Sequence, residues 1–322
     1  MARVKALVFE AFVSIFQARL DISRLHAMIP VGGGVLGAPC ESSSWRHFMN
    51  TQEKIHQTPS GNIHYWVTPG NSDKPWLVFL PGLTADHHLF DRQVPAFPEY
   101  NRLVWDAPAH AASRPFALDF SLEDMARYLH EILTAEGVGS CVLIGQSLGG
   151  YIGQSYLNLY PGTVSGFVSI DSASLSRKYF SGWELALLKN TRWMYEMIPW
   201  KSLLKWGILG TSRTPYGREL MAKTWAVYDR QDYLDLTVHG YQILAEAVEA
   251  RPEYKLDCPA LLLCGERDAA GSTKRYNRRW TKIDSLPLYW IKGAGHNSNT
   301  DVPEEVNRLI LDFLNTIHRA ES

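Results

Sequence analysis

Three residues of this chain are of the types, and in the order, needed to act on one another as nucleophile, acid and base. Ser147 sits in Gly145-Gln146-Ser147-Leu148-Gly149, after the apolar run "CVLIGQ" and before the helical pattern "LGGYIGQSYLNLYP". A serine hydroxyl is a weak nucleophile at neutral pH. It attacks a carbonyl only when an adjacent base takes its proton and a third group orients that base. G-x-S-x-G between strand and helix is a nucleophile elbow: the turn is so sharp that only glycines leave room around it, and the hydroxyl is pushed into the open. Such short patterns arise by chance, and the strand and helix on either side make this one specific.

The base and its orienting acid are expected later in the chain, at the ends of strands. His296 ends "IKGAGH" and Asp268 ends "LLLCGERD". Asp171, which ends "GFVSID", is the rival for the acid, and Asp268 is preferred. The other histidines read as structural: His318 is in the tail, His130 lies on a helix, and His87-His88 have no third residue at metal-ligand spacing. The developing oxyanion needs backbone N–H donors. Leu148, next after the nucleophile, supplies one, and Leu83, just past Pro81-Gly82, is chosen for the other.

Elements that carry such ends are legible from residue 50 onward. Strand runs fall at 62–67, 75–82, 102–108, 141–147, 166–171, 259–268 and 286–296. Helix patterns fall between them. One starts at Ser121 with Asp124 three residues on, the arrangement of a capping box, and stops at Gly137; another has Pro303 in its first turn. Continuous apolar strands alternating with helices predict a mostly parallel sheet with both faces covered, an α/β fold. In such a sheet, reacting groups sit beyond the carboxyl ends of the strands. Between Asp171 and Tyr254 no strand run is visible, and "GWELALLKNTRWMYEMI" and "HGYQILAEAVEA" predict helices. Residues 172–253 are therefore read as a helical cap inserted between core segments 50–171 and 254–322. The cap holds five of the eleven tryptophans; Trp183, Trp193 and Trp225 are candidates to line an apolar pocket.

Residues 1–48 read least well. They carry an amphipathic helix pattern through Val8, Phe12, Ile15, Ile22 and Leu25, but Glu10 interrupts the apolar core a signal peptide requires. We read them as an extension of uncertain role with Met49 as an alternative start; a helix that docks on a membrane or partner is the rival. "GGGVLG" at 32–37 matches G-x-G-x-x-G without a strand before it or a helix after it. Lys plus Arg number 32 against 33 Asp plus Glu, so net charge alone predicts no nucleic-acid or anionic-membrane partner. Four scattered cysteines fit neither a disulfide framework nor a metal site. They point to a reducing, cytoplasmic compartment, and no apolar stretch is long enough for a membrane span.

From about residue 55 to 318 the chain resembles the α/β-hydrolase family, in particular cap-bearing, esterase-like serine hydrolases with a helical lid after the sixth strand. The resemblance rests on "FLPGLTADHHLF", "WDAPAHAAS", "GQSLGG", "GERD" and "GAGH", in that order. Two departures stand out. Pro81-Gly82 replaces a frequent His-Gly, removing a bracing imidazole, and the loop usually written D-x-P-G-H-G-x-S has alanine for both glycines, at Ala109 and Ala111. If either position needs φ > 0, this loop must be rearranged. The resemblance implies a structural role for His110. It also implies an acyl-enzyme mechanism on an ester, thioester or lactone of a small apolar substrate, with Ser147, His296 and Asp268 and no metal or organic cofactor. A serine rather than an aspartate at the elbow argues against epoxide and haloalkane chemistry. Carbon–carbon bond hydrolysis with the same triad, or a small-molecule receptor on a hydrolase scaffold, are the alternatives. The natural substrate and the oligomeric state are not written in the sequence.

Overall fold

The computed structural model describes residues 51–71, 74–250 and 256–321. The reading of residues 1–48 and of Met49 lies outside them. The chain opens with an antiparallel hairpin, β1 (Gln52–Thr58) and β2 (Gly61–Thr68). β3 (Trp76–Leu80) and β4 (Arg102–Trp105) follow, then helix α1 (Leu122–Ala135), β5 (Cys141–Gln146), α2 (Leu148–Leu159) and β6 (Val164–Ile170). Five helices intervene before the sheet resumes: α3 (Gly182–Lys189), α4 (Arg192–Met197), α5 (Trp200–Thr211), α6 (Pro215–Trp225) and α7 (Arg230–Ala250). The chain closes with β7 (Ala260–Gly265), α8 (Thr273–Asp284), β8 (Leu288–Ile291), a single turn α9 (Ser298–Asp301) and α10 (Pro303–Glu321).

The strands form one eight-stranded sheet in the order β1-β2-β4-β3-β5-β6-β7-β8. β2 runs antiparallel to both its neighbours, and every other pairing is parallel. Val78 on β3 lies between Leu103 on β4 and Leu143 on β5, so the central register is set by apolar side chains stacked in rows. β5 and β7 are buried along their whole length, as a strand covered by helices on both faces must be. That burial explains why these strands are unbroken apolar runs. The cap is inserted after β6, the sixth strand.

Three details differ from the sequence reading. β1 was not anticipated, because "QEKIHQT" has no apolar face: its one aliphatic residue, Ile55, is 50% exposed, and backbone pairing to β2 holds the strand. The expected helix "GWELALLKNTRWMYEMI" breaks into α3 and α4 at Asn190 and Thr191. α8 has only Tyr276, Asn277 and Trp280 buried, too few apolar positions to announce a helix. The capping box of α1 is present as expected: Ser121 Oγ accepts from the Asp124 N–H at 3.1 Å, and Asp124 Oδ2 accepts from the Ser121 N–H at 2.9 Å.

Candidate active site

β5 ends at Gln146, and the chain turns into α2 within one residue. Ser147 takes φ 49° and ψ −115°, a left-handed conformation that a residue with a Cβ adopts only under constraint. The flanking glycines supply that constraint. A Cβ on Gly149 would lie 1.8 Å from the Leu80 carbonyl oxygen, and one on Gly145 would lie 2.5 Å from the Gly149 backbone. Only bare backbone lets the start of α2 pass so close to β3 and β5. The Ser147 N–H donates to the Ile170 carbonyl at 2.9 Å, which ties the turn to β6.

The three residues singled out in the sequence meet here. His296 Nε2 lies 3.0 Å from Ser147 Oγ, and His296 Nδ1 lies 3.1 Å from Asp268 Oδ2. Asp268 is buried, and its other oxygen accepts the Ala270 N–H at 2.7 Å. The geometry assigns Nδ1–H to Asp268 and leaves Nε2 free to accept the serine proton. Burial pulls the His296 imidazole down, but the charge and hydrogen bond of Asp268, with a smaller contribution from Asp171, outweigh it; the net shift is above the usual histidine range.

Asp171, the rival acid, has a different position. Its Oδ1 accepts the Gly265 N–H at 2.6 Å and its Oδ2 accepts the Ser298 N–H at 2.8 Å. One carboxylate thus joins the end of β7, where the acid loop starts, to the loop that carries the base. Burial and the neighbouring Asp268 push its carboxyl up. Cys264 Sγ lies within 4.8 Å of both these carboxylates, and burial and the two acids push that thiol up.

Two further positioning residues carried no recognisable signal in the sequence. Gln146, the x before the serine, donates from Nε2 to the His296 carbonyl at 2.9 Å. Asp301 Oδ2 accepts the N–H of Gly295, the residue before His296, at 2.7 Å. The same carboxylate accepts from Ser212 Oγ at 2.5 Å and from the N–H groups of Arg213 and Thr214, so it clamps the turn between α5 and α6 to the base loop. Gln146 is hidden inside the elbow pattern, and Asp301 lies in a turn that resembles any helix start.

Above the elbow, a Cβ on Gly82 would lie 3.0 Å from Ser147 Cβ, so the loop after β3 passes directly over Ser147. Thr84 has φ 59°, and among the described residues neither the Leu83 nor the Leu148 N–H donates to a protein acceptor. The cap reaches this loop. The Leu83 side chain fills the space over Gly240 of α7, and Trp225 Nε1 donates to the Thr84 carbonyl at 3.1 Å. Trp225 is therefore a buried strut. Trp183 is 66% exposed, and Trp193 is half-buried on α4. Of the three candidate tryptophans, Trp225 is thus the one that contacts the loop beside Ser147.

The loop after β4 also departs from expectation, because it is strained rather than rearranged. Ala109 and Ala111 hold φ of 66° and 36°, conformations that favour glycine. Asp106 compensates: its Oδ2 accepts the Ala112 N–H at 2.9 Å and its Oδ1 accepts the His87 N–H at 2.7 Å. Tyr228 of the cap accepts the Ala111 N–H at 3.0 Å. His110 is buried, bonds through Nδ1 to the Pro108 carbonyl at 2.9 Å, and is held low by burial, so it is neutral and structural.

Comparison with known proteins accords with this architecture. Residues 75–301 match the family described as alpha/beta hydrolase fold. The chain is 26% identical to human epoxide hydrolase 4 over 288 residues, 79% of this chain and 76% of that protein. It is 33% identical over 90 residues to 2-succinyl-6-hydroxy-2,4-cyclohexadiene-1-carboxylate synthase of Escherichia fergusonii, and spans 35% of that enzyme's length. Among solved structures, the Cif epoxide hydrolase from Acinetobacter nosocomialis superposes with a TM-score of 0.69 at 15% identity, covering 89% of this chain and all (100%) of that one. A thermophilic esterase from Thermogutta terrifontis gives 0.64 at 22%, covering 83% and 99%. The chain belongs to the α/β-hydrolase family and is a hydrolase of that fold. Among the described residues no helix is long and apolar enough to cross a membrane.

Proposed function

We propose that this enzyme is a serine hydrolase that cleaves a carboxylic ester, thioester or lactone of a small apolar substrate through an acyl-enzyme. The observation that carries the reading is the unbroken relay from Ser147 Oγ to His296 Nε2 at 3.0 Å and from His296 Nδ1 to Asp268 Oδ2 at 3.1 Å. His296 takes the serine proton as Oγ attacks the carbonyl carbon. The oxyanion is received by the Leu83 and Leu148 N–H groups, with the positive end of α2 behind them. His296 then returns the proton to the leaving group, and a water deacylates Ser147 by the same route. Asp268 holds the tautomer and stabilises the imidazolium. Epoxide opening through a covalent ester needs a carboxylate nucleophile, and the elbow here carries a hydroxyl.

The working division is a core of 50–171 and 254–322 with a cap of 172–253. A reducing compartment such as the cytoplasm suits its free Cys141, Cys258 and Cys264; burial pushes the Cys141 and Cys258 thiols up to about 12.

Intact-protein mass with a fluorophosphonate probe tests the reading. One adduct on the wild type and none on Ser147→Ala is expected, with loss of at least about 10³-fold in kcat/KM on an activated ester for Ser147→Ala and His296→Ala. No adduct on the folded wild type, or loss below about tenfold in either variant, overturns it.

A further inference from the structure

The charge balance of the whole chain conceals a local imbalance on α8. Its buried face is Tyr276, Asn277 and Trp280, and its exposed face is Arg275, Arg278, Arg279 and Lys282. Those four positions have the i, i+3, i+4, i+7 spacing of one helix face. Like charges three or four residues apart repel by about 0.2–0.5 kcal/mol per pair. Cations in the first turn, Lys274 and Arg275, also oppose the helix dipole. Elsewhere the helices neutralise such charges: Arg308 on α10 pairs with Glu305 and Asp312, and Arg127 on α1 with Glu123 and Asp124. The one cation of α8 that pairs with an acid, among the described residues, is Arg275, with Glu184 of α3. Among the described residues Arg278, Arg279 and Lys282 have no acidic partner within 4.0 Å; Arg279 donates instead to the Tyr179 and Lys178 carbonyls at 3.4 and 3.3 Å, which leaves its charge unneutralised.

The same surface exposes apolar side chains. Ile283 is 52% exposed, and Trp290 of the edge strand β8 is 37% exposed with the Arg278 guanidinium 4.9 Å from its ring centre. Trp183, 66% exposed, is the neighbour in sequence of Glu184, which Arg275 and Ser272 both contact. Cations with long apolar stems beside half-exposed tryptophans match the headgroup level of a bilayer, where the charges meet lipid phosphates and the rings lie among the upper acyl carbons.

We propose that α8 with the adjoining surface of α3 docks this enzyme on an anionic lipid surface. The charge complementarity selects the occupant: a stripe of four exposed cations, with one acid, Glu184, set against it at Arg275 and flanked by exposed tryptophan and isoleucine, suits a fluid plane that offers phosphates and hydrocarbon together. Docking brings the cap helix α3 against the lipid, where an apolar ester is concentrated. The proposal does not depend on the triad, since lipid binding is measured without turnover.

The test is co-sedimentation of the full chain with phosphatidylcholine vesicles, with and without phosphatidylserine. Wild type should sediment with the anionic vesicles and be released when salt rises from about 0.1 M to about 1 M, which shortens the Debye length from about 10 Å to about 3 Å. Each Lys or Arg near an anionic surface is worth about fivefold in partition, so Arg279→Ala/Lys282→Ala should bind about 25-fold more weakly with an unchanged circular dichroism spectrum. Trp183→Ala should weaken binding several-fold at any salt. No binding to anionic vesicles overturns the proposal. So does binding that neither variant alters, which would put the contact elsewhere in the chain. Binding of poly-glutamate or a single-stranded oligonucleotide in place of vesicles also overturns it, by naming a different partner for the face.

Discussion

The carboxyl edge of the sheet and the cap above it are held by different physics. At the edge, position is enforced by backbone crowding and by carboxyl acceptors: glycines with no space for a Cβ around Ser147, and Asp171, Asp268 and Asp301 each accepting buried N–H groups. In the cap, aromatic rings meet edge to face, as Trp200 and Trp225 do with Tyr233 at 5.3 and 5.4 Å. The cap meets the core through side-chain contacts that include the Asp301 clamp, Trp225 on Thr84, Tyr228 on Ala111 and His239 on Phe120. Crowding and ionic hydrogen bonds tolerate little displacement. Ring packing tolerates more, which is what a lid over a rigid site needs. Substitutions at the edge should therefore cost rate, and those in the cap should cost stability or KM.

The largest expected effect is on rate alone. Asp268→Asn should lower kcat by about 10³–10⁴-fold on an activated ester, because an amide favours the wrong histidine tautomer, while the urea midpoint moves little. A loss of stability matching the loss of rate would erase the distinction between the two regions. Asp301→Ala joins the regions and should injure both: several buried N–H groups lose their acceptor, for about 3 kcal/mol of unfolding free energy by urea titration, with a fall in kcat because Gly295 precedes the base. Trp225→Phe keeps an aromatic ring but removes the bond to Thr84 and part of a buried indole's volume, so a loss of about 2 kcal/mol of stability and a raised KM with nearly constant kcat are expected. A fall in kcat alone would place Trp225 in the chemistry.

A pH profile sharpens the electrostatic half of the comparison. With His296 as the proposed base, the rate should require its neutral form; its pKa is raised in the folded protein, so the acid limb of kcat/KM should lie above the usual histidine value. Asp171 contributes to that rise, and Asp171→Asn should move the limb to lower pH. By linkage, a raised histidine pKa adds stability that is fully present below the unfolded value and is lost as pH climbs through the folded one. Stability and rate should thus change in opposite senses across that window. The smallest effect is Ala111→Gly: removing a Cβ at φ 36° should be neutral or stabilising by a few tenths of a kcal/mol in thermal unfolding, where Ala→Gly in a helix costs about 1 kcal/mol.

By itself the sequence determined the α/β alternation, the strand–turn–helix setting of Ser147 and the capping box of α1, and it singled out Ser147, Asp268 and His296, which the fold brings within hydrogen-bond distance of one another. These are local signals: apolar runs set strands buried on both faces, and only glycine satisfies a turn as tight as the elbow. Tertiary structure decided what depends on residues far apart. β1 exists through pairing with β2 and has no apolar face to reveal it. The role of Asp171 is set by N–H groups from two other segments, 94 and 127 residues away, and Asp301 reaches back 87 to 89 residues to the α5–α6 turn. The strained alanines are tolerable because Asp106 and Tyr228 hold their loop. The tryptophans followed the same rule, for composition could count them, and only packing could make Trp225 a strut and leave Trp183 in the open. Net charge is a sum over the whole chain, so it could not reveal that α8 gathers its cations on one face.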